Sequence, residues 1–183
     1  MSTTVTSEQK QFAGSIRFFH WLAAAIVLTM LCNGVAMIAS LADYHWLISL
    51  HRPLGILLLI TVAVRLVNRL WRGGPEFPIT MSDQEKFMAR SSEVLLYVLL
   101  FVMPLVGWGM LSAARFPIAM FGSVHLFPIL PHNVMLYAIL RKTHTYLGYL
   151  LFFAFVAHFG AVLFHSVILR DGLFNRMAPW RER

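Results

Sequence analysis

The chain has 183 residues, 58% of them hydrophobic and only 13% charged, and a net charge of +7. A soluble domain carries about 25% charged residues, so the deficit excludes an ordinary water-soluble fold and points to lipid as the solvent. The positive charge does not mark a nucleic-acid binder, because it is divided unevenly between the ends of apolar segments.

Residues 1–16 read as a cytoplasmic tail, polar over Met1 to Gln11 and expected to fray. Four apolar runs follow that reach the roughly 20 residues a transmembrane helix needs. They cover residues 17–40, 50–70, 93–114 and 144–169. The first is longer than the 7–15 apolar residues or so of a signal peptide and no convincing cleavage site follows it, so it is expected to remain as an anchor. Its single cysteine, Cys32, reads as a small core residue. The chain has no C-x-x-C-H motif, which excludes the usual covalent haem attachment.

The first loop, near Asp43 to His45, is short and faces outward. The second, Trp71 to Arg90, holds Gly73, Gly74, Pro75 and Pro78. It reads as an inner turn, with Ser82 or Asp83 as the N-cap of a short helix. Pro104 in the third run predicts a kink. The third loop, residues 115–143, is the longest. It is apolar and aromatic, and Pro117, Pro128 and Pro131 prevent it from spanning. The outer membrane interface suits such a segment. Residues 180–183 form a second cytoplasmic tail.

With four spans, one face of the membrane collects eleven basic residues, from Lys10 and Arg17 to Arg181 and Arg183, and the other only four, Arg52, Arg115, Arg141 and Lys142. Cytoplasmic loops are enriched in lysine and arginine. Both termini are therefore cytoplasmic, and the fold class is an all-α, antiparallel four-helix membrane bundle.

Four histidines, His20, His51, His144 and His158, lie within or at the ends of these runs. An imidazole there costs free energy unless it has a partner. An α-helix rises about 1.5 Å and turns about 100° per residue, so the step from His144 to His158 is about 21 Å along one face. That is the spacing of two haems stacked across a bilayer. Depth pairs His51 with His144 near the outer side. The partner of His20, on the inner side, stays open between His158 and His165, which lies seven residues further on nearly the same face. Gly55 and Gly148 follow His51 and His144 by four residues. Positions i and i+4 share a face, so each outer histidine has bare backbone one turn along, with room for a flat macrocycle. Helix packing is the other reading of those small residues. Zinc is a weaker candidate, because it needs clustered ligands and these lie at two levels.

Arg65 is fourteen residues after His51 and shares its face at an inner depth. A haem propionate is a natural counter-charge for it, as for Arg52 at the outer level. The alternative is that Arg65 snorkels to the surface with Arg69 and Arg72. His45, His125 and His132 read as surface residues of the outer loops. Trp21 and Trp108 read as packing or interface anchors.

Phe19-His20-Trp21-Leu22, His51 with Gly55 through Val64-Arg65-Leu66, His144 with Leu147-Gly148-Tyr149 through His158, and His165 with Asp171 to Arg176-Met177 together resemble the bacterial cytochrome b561 family. The likeness covers residues 17–179 as one transmembrane domain and is closest to small four-helix members that act as superoxide:ubiquinone oxidoreductases. The resemblance implies two haems b, an inner one held by His20 and His158 and an outer one held by His51 and His144. It implies that His165 borders a quinone site, and that Arg115, with Arg141 and Lys142 matching only approximately, guides an anion at the periplasmic face. The implied setting is the bacterial inner membrane. The expected activity takes electrons from superoxide and passes them to ubiquinone. Its rival is an electron-transfer subunit relaying electrons between the quinone pool and a protein redox partner, with the outer loop as docking surface. A non-redox membrane protein with satisfied histidines would be colourless when purified.

Overall fold

The computed structural model describes residues 11–77, 81–120 and 124–179. Four helices carry the fold: α1 Gly14–Ala39, α2 Tyr44–Arg72, α3 Asp83–Ala113 and α4 Val134–Leu163. A six-residue π turn, Phe164–Leu169, extends α4, and a 3₁₀ turn, Leu173–Arg176, follows. All four helices are long and apolar enough to cross a membrane.

The helices outrun the apolar runs that announce them. The third span was expected to begin at residue 93, after a separate short helix. Ser82 is indeed an N-cap, accepting from Glu85 N at 3.3 Å while the Glu85 carboxylate accepts from Ser82 N at 2.7 Å. This capping box is worth about 1 kcal/mol, but the helix it starts runs unbroken into the membrane. The fourth helix begins at Val134, ten residues before the expected start, because Asn133 Oδ1 caps it by accepting from Leu136 N at 2.9 Å. Hydropathy locates the apolar stretch, whereas caps locate the helix ends. His51 and His144 accordingly sit inside helices and not at their first residues. Pro104 lies inside α3 and Pro53 inside α2, both buried within continuous helices.

Ala23, Ile26 and Val27 of α1, Leu58 and Val62 of α2, Leu99 and Leu100 of α3 and Leu151 of α4 form the core. Close backbone packing joins α1 to α2, α2 to α3 and α3 to α4. Among the described residues, α4 makes no comparable approach to α1 or α2, and Leu151 is its only buried residue. Leu147, Leu151, Ala154 and Phe155 of α4 reach the shared core through their side chains.

The outer loop folds back on the end of α3. It contains an antiparallel ribbon, β1 Ile118–Ala119 with β2 His125–Leu126, paired Ile118 to Leu126 and Ala119 to His125. The Trp108 indole donates to Phe127 O at 3.0 Å, Ile129 N to Ser112 Oγ at 3.1 Å and Asn133 N to Ala113 O at 3.1 Å. At the inner end, four successive carbonyls of the C-terminal segment accept from the start of the chain. Gln11 Nε2 reaches Asn175 O at 2.9 Å, Phe12 N reaches Arg176 O at 3.0 Å, the Trp21 indole reaches Met177 O at 2.8 Å and Arg17 Nη1 reaches Ala178 O at 3.1 Å. Trp21 is therefore a structural donor as well as an apolar anchor.

Candidate functional site

The structure brings His51 of α2 and His144 of α4 together with ring centroids 6.2 Å apart and planes at 72°. Two imidazoles that each bind one metal ion through a ring nitrogen, at a nitrogen–metal distance of about 2 Å, put their ring centres about 6 Å apart. The outer pair already has the separation of two axial ligands.

The ring of His51 is oriented by Asn33 of α1, which is 7% exposed. Asn33 Nδ2 donates to Leu47 O at 3.1 Å, and Asn33 Oδ1 faces His51 Nδ1 at 3.3 Å. A carbonyl only accepts, so the amide nitrogen of Asn33 must point at Leu47 and its oxygen at His51. His51 then carries its proton on Nδ1 and presents a bare Nε2 lone pair. An outer hydrogen bond that fixes the tautomer is the usual support of a metal-binding histidine.

His144 is placed by a bare backbone on α3. A Cβ built on Gly107 would lie 3.2 Å from His144 Cε1. Gly55 and Gly148 have methionine methyl groups as their neighbours, those of Met30 and Met103, at 3.7 and 3.4 Å from a Cβ built there. Flexible thioethers border both positions where room for a macrocycle is expected.

At the inner level, His158 and Arg65 lie within electrostatic range of His20. Arg65 does not snorkel away with Arg69. Its guanidinium lies over the Tyr97 ring at 5.0 Å. His20 Nδ1, Arg65 Nε and Tyr97 Oη are all buried without a hydrogen-bond partner. Unsatisfied buried polar atoms are rare in a finished protein interior, and here Arg65 links all three, stacked on Tyr97 and within electrostatic range of His20. The donor set fits a b-type haem, with imidazoles for the iron and arginines for its carboxylates. Arg52 repeats the arrangement outside: its Nε is buried without a partner and its Nη1 donates to Pro117 O at 3.4 Å.

His165 lies in the π turn, and its Nδ1 is 2.5 Å from Asp171 Oδ2. Asp171 Oδ1 in turn accepts from Leu173 N at 3.1 Å. His165 is thus engaged by an acid of the C-terminal segment, and His158 is the histidine within range of His20. Arg115, in the left-handed region at φ 56°, lines an outer cavity of about 440 Å³ with His125 and His132. His132 Nδ1 donates to Ala113 O at 2.8 Å, so this histidine belongs to the framework of the loop. Arg141 and Lys142 are exposed on α4, one turn before His144. No hydrogen bond or ion pair links them to Arg52 or Arg115 among the described residues.

Asn33, Gly107 and Tyr97 are the contributors that sequence reasoning missed. An amide inside an otherwise apolar run is the one signal that marks Asn33. Gly107 and Tyr97 have no spacing relation to any histidine on their own helix.

The model of the prokaryotic cytochrome b561 family matches residues 11–180. The chain is also 31% identical over 165 residues to Cytochrome b561 homolog 2 of Escherichia coli (strain K12), covering 87% of this chain and 86% of that protein. With the histidines and arginines that the four helices bring to two levels, these likenesses define the protein: it belongs to the prokaryotic cytochrome b561 family, multi-pass proteins of the bacterial inner membrane that bind b-type haem and transfer electrons.

Proposed function

We propose that the protein oxidises superoxide at its outer face and reduces a quinone near its inner face. The supporting observation is the pair of guanidiniums at the outer end. Arg52, next to His51, reaches the carbonyl of Pro117, two residues beyond Arg115. Positive charge at a site mouth raises the local concentration and on-rate of a small anion. Arg141 and Lys142 extend the positive field along α4.

His51 and His144 would hold the outer haem b and His20 and His158 the inner one, with Arg52 and Arg65 facing the propionates. Held by these histidines, haem b would supply one-electron transfer. Asn33 keeps His51 in its ligating tautomer. Two superoxide anions yield two molecules of dioxygen, and their two electrons with two protons convert one quinone to quinol. His165, backed by the Asp171 carboxylate, is the proton-handling group beside the quinone, since its imidazole and that acid form one hydrogen-bonded pair.

Mixing the oxidised protein with a pulse of superoxide and following haem absorbance tests this reading. Rapid reduction, reversed by added quinone and slowed by salt, is the expected result. Reduction by quinol with no response to superoxide would establish the relay function instead.

A further inference from the structure

The inner end of the bundle contains a second cavity, of about 560 Å³, whose lining includes none of the five histidines assigned above. It lies where α2 ends, where α3 begins and where the 3₁₀ turn closes beneath them. Its walls carry Arg69, Lys86, Arg90 and Arg176 against the carboxylates of Glu76 and Glu93.

The arginines converge. Arg69 and Arg176 both approach the ring of Phe12, at 5.2 and 5.8 Å, and Arg90 lies over Phe77 at 5.7 Å. Gly74 makes this possible, because a Cβ there would collide with the Arg69 guanidinium and the Phe12 ring. Arg69 pairs with Glu93 at 3.4 Å and Lys86 with Asp83 at 3.3 Å. Among the described residues neither Arg90 nor Arg176 has an ion-pair partner. Arg176 is only 7% exposed. One of its nitrogens donates to Glu76 O at 2.5 Å, while its Nε is buried without a partner. Arg176 is thus a buried guanidinium without a counter-charge among the described residues, which is costly, the exposed Arg90 stands at the same cavity, and planar guanidiniums suit a phosphate.

The neighbours of these residues give the source of that anion. Leu70 and Trp71 follow Arg69, and Phe87 and Met88 lie between Lys86 and Arg90. All four are exposed. Apolar side chains beside a basic cavity at a helix end are where acyl chains meet headgroups. We infer that this cavity binds the phosphate headgroup of an anionic membrane lipid from the inner leaflet.

The test uses the full-length, haem-loaded protein extracted in detergent from vesicles of equal phosphatidylglycerol and phosphatidylethanolamine. Native mass spectrometry then reads the lipid that stays bound. Preferential retention of phosphatidylglycerol is expected. Arg90→Gln, an exposed position, should lower that retention about fivefold, the weight of one basic residue at an anionic surface. Arg72→Gln, at the same end but outside the cavity, should leave it unchanged. Equal retention of the two lipids, or equal losses in the two variants, would overturn the inference. An Arg90-dependent thermal stabilisation by inorganic phosphate, without retained phosphatidylglycerol, would overturn the lipid source.

Discussion

The two histidine levels are built differently. The outer pair is set by neutral side-chain and backbone geometry: an amide fixes one ring, a glycine admits the other, and the ring centres stand 6.2 Å apart. The inner pair has no such brace among the described residues. Both levels carry an arginine and orphaned polar atoms, Arg52 Nε and His144 Nδ1 outside, Arg65 Nε, Tyr97 Oη and His20 Nδ1 inside, and only the inner arginine is stacked on an aromatic ring beside its histidines. Electrostatics is common to both sites, and a braced ring belongs to the outer one alone. Substitutions should therefore separate affinity effects at the outer level from redox effects at the inner one.

The sharpest break comes from the ligands. If the four histidines hold two haems as proposed, replacing His51 or His144 with alanine should remove one completely and leave the other's spectrum intact, as read by haem-to-protein ratio and low-temperature absorbance. Retention of both would end the pairing. Gly107→Leu should come next, because a side chain there drives into the His144 ring. Partial loss of the outer haem alone is expected, whereas uniform loss of both would mean that the bundle had opened. Asn33→Ala should weaken outer-haem retention by about 10–100-fold, the usual cost of losing the group behind a ligating histidine, and Asn33→Gln should not restore it. The smallest effect is electrostatic. Arg65→Gln removes a positive charge beside the inner pair, so it should lower the inner midpoint potential by the equivalent of on the order of 1 kcal/mol. The outer potential, measured in the same redox titration, should not move.

This contrast also marks what the sequence could disclose. The four spans were legible because lipid demands long apolar runs, and the nearness of the His51 and His144 rings because depth follows from helical rise. The helix ends were not, since Asn133 caps α4 well beyond the membrane-length stretch and the helix begun at Ser82 continues instead of stopping. Arg65 was legible as an intramembrane charge, but Tyr97, its stacking partner, was not, because contacts between helices leave no periodic trace on either strand of sequence. The π turn around His165 was equally hidden: it changes which backbone groups pair without requiring any distinctive residue.

The clasp at the inner end has a consequence for biosynthesis. Four consecutive carbonyls near the C-terminus complete the hydrogen bonding of residues at the very start of the first helix, including buried Arg17. During translation the first helix enters the membrane with those partners not yet made. The inner end of the bundle can be sealed only after residues 175–178 have been made, so until then the nascent protein has an open end.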